Sequence, residues 1–344
     1  MFALIAMSGG VDSSVAALLT LKQGLSCVGA TMHLHDVGSS ADATAVARRL
    51  DIPFYEFDAT KEFQQQVMDY FARCYEQGGT PNPCIQCNRR LKFGYLLDEA
   101  LKLGCDYIVT GHYARIRQDE ASGRYLLYKA VDLPKDQTYF LYCLNQYQLS
   151  HTLFPLGELT KSETRQIAET NGFINAQKRD SQDICFVPDG DYMTFLERYT
   201  QKKYLSGDFL NLDGNIVGQH RGAVAYTLGQ RKGLGLAMGA PVYVCAKDMA
   251  RNTVTVGPNE ALFSRGLRAN DWNWIAIPAL TDPIRVKAKA RSRMIEQDAT
   301  VYPEDNGFAR VEFEEPQRAI TPGQAVVLYD GDLVIGGGTI TDVL

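Results

Sequence analysis

The chain has 344 residues, 45% hydrophobic and 22% charged, with a formal net charge of −5. That length suggests about two to three domains with room for sizeable cores, and the composition excludes intrinsic disorder. The mild acidity gives no global sign of a nucleic-acid partner, and no stretch reaches the roughly 18 apolar residues of a membrane span.

In chain order, the pattern predicts a strand over 2–7, a helix over 13–23, a strand over 27–32, a helix over 41–50 and a strand over 54–57, then helices over 61–77 and 88–103 and a strand over 106–110. The first apolar run has no basic segment before it and reads as a strand, not as a signal peptide, so a cytoplasmic location without a membrane partner is expected. Strand–helix alternation of this kind implies an α/β fold with a mainly parallel sheet over about 1–200. Ligands of such sheets sit at the carboxyl ends of the strands, where Ser8–Ser13, Met32 and Thr110-Gly111-His112 are expected to converge. Eight glycines between Gly207 and Gly239 then mark a small, turn-rich central domain over 201–265. From 266 to 344, alternating segments such as Ala309–Phe313 and Ala325–Tyr329 predict a small antiparallel β-barrel.

Ser8-Gly9-Gly10-Val11-Asp12-Ser13 follows the first strand directly. Its glycines let backbone approach a ligand, and Ser13 and Ser14 are placed to start a helix whose free amides favour an anion. No Walker A or dinucleotide-binding spacing is present, so the choice lies between an ordinary glycine-rich turn and another kind of phosphate loop. The loop resembles that of the N-type ATP pyrophosphatases, with Asp12 a candidate Mg²⁺ contact.

Eight cysteines are too sparse in a chain of this length for a secreted disulfide scaffold. Thr80–Asn88 is a proline-stiffened loop expected to end where a helix begins. With Asn88 as cap and Arg89, Arg90 and Lys92 close behind, Cys87 is a candidate thiolate. Half of a structural zinc site is the alternative, but no second pair at zinc spacing accompanies it. Cys185 lies in the polar segment Lys178–Phe186 and reads as reactive, whereas Cys27, Cys143 and Cys245 sit in apolar runs. Finally, Ile284–Arg293 alternates so that five cations, Arg285, Lys287, Lys289, Arg291 and Arg293, share one face of a strand. This stripe is either a solvated face or a phosphate contact; five phosphate contacts imply a log–log salt slope of about −4.

The phosphate loop, Thr80–Asn88 with Lys92-Phe93, Thr110–Arg115, Lys135-Asp136-Gln137, Asp180–Phe186 and Thr321-Pro322-Gly323-Gln324 together resemble, in order and over essentially the whole chain, the tRNA-specific 2-thiouridylase family. The resemblance implies ATP-dependent adenylylation of C2 of the wobble uridine in tRNAs for Lys, Glu and Gln, followed by sulfur transfer. It implies ATP contacts at Ala6, Met7, Ser8, Gly9, Gly10, Val11, Asp12, Ser13, Met32 and Gly111. Contacts to tRNA fall to His112, Lys135, Asp136, Gln137, Arg291, Ser292 and Gln324, with Asn82, Pro83 and Cys84 bordering a flipped base. Cys185 becomes the persulfide carrier, charged by a cysteine desulfurase or relay protein, and Cys87 the second thiol, which either attacks the persulfide to free hydrosulfide or forms a disulfide with Cys185 when the persulfide sulfur attacks C2 directly. Two residues depart from the family pattern: Cys84 stands where many members have Asp, and Ser292 where many have Tyr. Cys84, Cys87 and Cys185 also allow a [4Fe–4S] cluster as the sulfur-handling group. Rival readings are a synthetase acting on a small metabolite, which leaves the cysteines and the basic strand unexplained, and an ATP-regulated RNA-binding protein, which leaves Cys87 and Cys185 without a role.

Overall fold

Strand β1 (Phe2–Ala6) carries Ala3, Leu4 and Ile5, all fully buried, as a strand covered on both faces requires. The structure, a computed structural model, describes residues 1–35, 40–176 and 184–344. Strands β2 (Ser26–His33), β3 (Phe54–Asp58) and β4 (Tyr107–Val109) lie parallel to β1; β5 (Ala114–Gln118) and β6 (Tyr125–Lys129) form a hairpin outside this sheet, and β7 (Thr152–Leu153) returns to its edge. The resulting order is β3-β2-β1-β4-β7. Because the chain moves to one side of β1 for β2 and to the other for β4, a crevice opens between the carboxyl ends of β1 and β4. Side-chain alternation sends Ala3 and Ile5 to one face, against Val15, Ala16 and Ala17 of helix α1 (Val11–Lys22) and Ala43, Val46 and Ala47 of helix α2 (Ala41–Arg49), and sends Leu4 to the other.

The α/β class expected from alternation is thus the observed one. The helix expected over 88–103 begins earlier: Asn82 is its extended N-cap and Pro83 its first residue, a position that suits the fixed φ of proline. Asn88 is therefore not a cap. It lies within the helix, buried, and donates from Nδ2 to the Phe140 carbonyl at 3.0 Å. From Cys87 to Tyr95 this helix is wound as a π-helix.

The central sheet, β8 (Gly207–Leu210), β9 (Ile216–His220), β10 (Tyr243–Asp248) and β11 (Thr253–Gly257), has the order β10-β11-β8-β9 around the fully buried Phe209, Val244 and Val254. The last six strands, β12 (Phe263–Trp274), β13 (Ile284–Lys289), β14 (Gln297–Pro303), β15 (Ala309–Arg318), β16 (Ala325–Asp330) and β17 (Leu333–Val343), form an antiparallel barrel closed by pairing of β12 with β17. The β5–β6 hairpin joins this barrel through Tyr128 opposite Leu333. Arg124 reinforces the junction by donating to the Trp274 and Ile275 carbonyls at 2.9 and 2.8 Å, and Asn273 by donating to those of Tyr142 and Leu144 at 2.6 and 2.8 Å. One core cluster accordingly contains Leu4, Phe93 and Tyr139 together with Ile275, Val327, Tyr329 and Val334.

The basic stripe expected over 284–293 is not built. Strand β13 stops at Lys289, so the period-two alternation ends before Arg291. Arg291 turns inward, donating to the Leu228 carbonyl at 3.1 Å and to the Thr321 hydroxyl. Arg285 and Lys287 are paired with Glu314 and Asp298 at 3.1 and 2.9 Å. Among the described residues no helix is long and apolar enough to cross a membrane.

Candidate active site

A cavity of about 260 Å³ opens where the switch between β1 and β4 places it. Seven residues expected at ATP line it: Ala6, Met7, Ser8, Asp12, Ser13, Met32 and Gly111. Gly9, Gly10 and Val11 shape the loop behind. Gly9 adopts a φ of +72°, and a Cβ there would lie 3.0 Å from that of Asp42. Ser13 and Ser14 do not cap the helix as expected. Gly10 is the N-cap, and both hydroxyls donate back to its carbonyl at 3.0 and 2.9 Å, leaving the first-turn amides without a side-chain cap. Uncapped amides at a helix start suit an anion. Gly111 fits against this turn because it lacks a side chain: a Cβ would stand 2.6 Å from the Asp12 carbonyl carbon and 2.7 Å from the Ser13 nitrogen.

The Asp12 carboxylate is already engaged. Lys161 Nζ lies 2.8 Å from both of its oxygens, and the Tyr113 hydroxyl donates to it at 3.0 Å. A Mg²⁺ ion at this carboxylate would have to displace an ammonium, and among the described residues no group of three or more His, Cys, Asp or Glu is arranged to hold a metal. The described side chains therefore do not fit a protein-held Mg²⁺. The sequence reading missed Lys161, although Thr160-Lys161-Ser162-Glu163 carries the capping-box pattern, and Thr160 and Glu163 do cap the helix Lys161–Thr170 reciprocally. It also missed Asn175, which donates to the Gly9 carbonyl at 3.0 Å and to Ser14 Oγ at 2.9 Å and so buttresses the phosphate loop. No local pattern marks that role.

His112 and Gln137, expected at tRNA, line the same cavity. Thr110 Oγ1 lies 2.6 Å from His112 Nδ1, and the ring packs between Phe93 and Phe154 with centroids 5.7 and 5.9 Å away. Burial, aided by the Lys92 charge, holds the imidazole well below its ordinary pKa, so His112 offers a neutral ring to any partner. Gln137 accepts from the Tyr113 amide at 2.9 Å. Asp136 accepts from the Ala130 amide and the Thr138 hydroxyl at 3.1 and 2.6 Å, with burial raising its carboxyl above the usual range. Lys135 closes the short turn Leu133–Lys135 beside them, off the described cavity wall. Gln324 reaches from the barrel to donate to the Thr80 carbonyl at 2.8 Å, and the Thr80 amide donates to Pro322 at 2.8 Å. The barrel thereby fixes the loop that leads into Asn82, Pro83 and Cys84. Ser292 follows the inward-turned Arg291, half-buried.

Cys84 is in the first turn of its helix and Cys87 one turn further, on the same side. Cys87 is not the thiolate that a helix start would favour. The helix begins at Pro83, and burial pushes the Cys87 thiol up to about 11, against the opposing pull of Lys92. Burial also raises Cys84 and Cys185, again with Lys92 opposing. Cys185 lines a second cavity of about 700 Å³ with His35, Phe186 and Arg198. The three thiols lie close enough to influence one another's charge, and all eight cysteines are unpaired. As placed, the three do not form a ligand set for a [4Fe–4S] cluster. Asp180 to Asp183, part of the motif before Cys185, lie outside the described residues.

Comparison with known proteins matches residues 1–189 to the tRNA methyl transferase HUP domain, 193–258 to the tRNA methyl transferase PRC-barrel domain and 264–340 to the aminomethyltransferase β-barrel domain. The tRNA-specific 2-thiouridylase MnmA of Symbiobacterium thermophilum is 50% identical, the alignment covering 98% of this chain and 91% of that protein. Those of Moorella thermoacetica and Acetivibrio thermocellus are 50% and 48% identical, covering 99% and 98% of this chain and equal shares of theirs. Identity at this level along essentially the full length, over a nucleotide-type crevice flanked by three thiols, places the chain in the tRNA-specific 2-thiouridylase MnmA family.

Proposed function

We propose that this protein is a tRNA 2-thiouridylase that activates C2 of the wobble uridine with ATP and replaces its oxygen with sulfur. The observation that carries the reading is the neighbourhood of the phosphate-loop cavity and the thiols of Cys87 and Cys185, with Lys92 acting on both. The uracil O2 attacks the α-phosphorus of ATP and pyrophosphate leaves, its charge met by the uncapped amides of α1 and by Lys161. The terminal sulfur of a Cys185 persulfide attacks C2, and AMP departs with the former O2. Cys87 then attacks the Cys185 sulfur, breaking the S–S bond; 2-thiouridine leaves and a Cys87–Cys185 disulfide remains for an external thiol to reduce. Separate cavities suit this division, one for the nucleotide and one giving a sulfur donor access to Cys185. Mg²⁺ would enter with the ATP phosphates and supply charge neutralisation there. Transcripts of tRNA for Lys, Glu and Gln are the expected substrates, with a cysteine desulfurase or relay protein as donor.

The test is incubation of the full chain with ATP, Mg²⁺, a cysteine desulfurase with cysteine, and each transcript. Pyrophosphate release that requires tRNA, with one sulfur per tRNA found by mass spectrometry, is the expected outcome; ATP turnover with a small metabolite and no tRNA would replace the reading with the synthetase alternative. The ion pairs of Arg285 and Lys287 and the inward turn of Arg291 leave Lys289, at the end of β13, and Arg293 beyond it as the segment's contributors to phosphate binding. The strand should then contribute a slope of about −1 to −2 to log affinity against log salt, not about −4. Titrating K289A/R293A against wild type across a salt series checks this, and an unchanged slope would remove the strand from the interface.

A further inference from the structure

Lys92 is the only cationic side chain among the described residues on the wall of the nucleotide cavity. It is half-buried, and among those residues it has no ion-pair or hydrogen-bond partner. By contrast Lys161, at the same phosphate loop, is paired with Asp12 at 2.8 Å. An ammonium partly withdrawn from water with no counter-charge is unfavourable unless an anion comes to it.

The winding of the helix explains why this side chain reaches the cavity. From Cys87 to Tyr95 the bonds run i→i+5, so residues five apart come round to the same side of the helix, and Cys87 and Lys92 are such a pair. In a regular α-helix the two would diverge by about 140° around the axis. Just past the end of β2 two successive residues line the two cavities, Leu34 the nucleotide cavity and His35 the one that holds Cys185. Lys92 lines the first of these, on the same helix as Cys84 and Cys87, and its charge opposes the burial of Cys84, Cys87 and Cys185 alike.

We propose that Lys92 is a positioning residue for the sulfur chemistry: from the wall of the nucleotide cavity its ammonium stabilises anionic sulfur on Cys87 and Cys185, coupling the thiols to the site where C2 is activated. The step it assists is ionisation, in which the S–H bond breaks, the proton passes to water and the electron pair stays on sulfur beside the ammonium. Its role in sulfur transfer rests on the function proposed above, whereas the coupling itself exists in the resting protein and is measured there.

The experiment is alkylation of the full chain by iodoacetamide, without ATP or tRNA, across a pH series, with labelling of each cysteine followed by peptide mass spectrometry in wild type, Lys92→Met and Lys92→Arg. In K92M the Cys87 and Cys185 rates near pH 8 should fall about three- to tenfold, a shift of roughly half to one pH unit at tenfold per unit. K92R should stay within about twofold of wild type, and Cys245, in the central domain, should not change in either. Profiles for Cys87 and Cys185 that superimpose in wild type and K92M would overturn the proposal, as would equal losses in K92M and K92R. Should K92M open the fold, seen as faster labelling of the buried Cys27 and Cys143, Lys92→Gln takes its place under the same criteria. A wild-type protein that adds no sulfur to tRNA yet shows the shift retains the coupling and loses the proposed reaction; normal thiolation by K92M would keep the reaction and overturn the part given to Lys92 in it.

Discussion

Cys87→Ser and Cys185→Ser should each lower sulfur incorporation into tRNA by about three orders of magnitude, equivalent to roughly 4 kcal/mol of barrier, while tRNA-dependent pyrophosphate release continues. The separation follows from the architecture. In the proposed reaction adenylylation takes place against the phosphate loop and Lys161, whereas the cysteines lie off the wall of that cavity, on the 83–102 helix and beside the second cavity. Serine keeps the size of the side chain but cannot carry a persulfide or exchange with a disulfide. Cys84→Ala is the informative third variant. The persulfide route leaves Cys84 without a bond-making task, and thiolation should stay within about threefold of wild type. A loss as deep as that of the other two, tracking bound iron after anaerobic reconstitution, would overturn the persulfide route and require a rearrangement that brings three thiols into a cluster-binding set. Sulfur in nuclease digests of the tRNA and pyrophosphate in the supernatant give the two readouts from one reaction.

Gly111→Val should remove ATP binding, weakening it by at least about tenfold, and should destabilise the protein by about 1–3 kcal/mol through overpacking. The new Cβ would press on the Asp12 carbonyl carbon and the Ser13 nitrogen at 2.6 and 2.7 Å, both backbone atoms of the turn proposed to meet the phosphates. Relief requires moving the start of α1, and with it Asp12 away from Lys161 and Tyr113. Gly24→Ala is the control: its φ of +85° makes an alanine strained, but the added Cβ meets nothing within 4 Å and the site is untouched. Both variants should melt earlier than wild type, and only Gly111→Val should fail to titrate with ATP in calorimetry. Wild-type ATP affinity in Gly111→Val would mean that the first turn of α1 is not the phosphate site.

The N-terminal region was legible because its signals are local. Strand, glycine turn and helix follow one another in Phe2–Lys22, and the rule for parallel sheets carries Thr110-Gly111-His112 to the same edge. The start of the cysteine helix is also written in the chain, as Asn82-Pro83, but the prolines read more readily as a stiff loop, which puts the expected start at Asn88, five residues late. A start at Asn88 would give Cys87 the electrostatics of a helix N-terminus, whereas one turn inside the helix burial prevails. Other features have no local signal. Lys161 meets Asp12 across 149 positions, and the fate of Arg291 is decided by where β13 stops, which its alternation does not reveal. The hairpin joins the barrel through partners far along the chain, Tyr128 opposite Leu333 and Arg124 at the Trp274 and Ile275 carbonyls.

That hairpin has a consequence for how the protein is made. A ribosome releases Leu127, Tyr139, Tyr142 and Leu144 long before Ile275, Val327, Tyr329 and Val334, yet these residues share one core. The Tyr139 hydroxyl finds its acceptor, the Ala325 carbonyl at 2.9 Å, only near the end of translation. The nascent nucleotide sheet must therefore wait with an apolar flank exposed, a vectorial delay that invites chaperone binding and makes late C-terminal truncations damaging to a site built from the first residues synthesised.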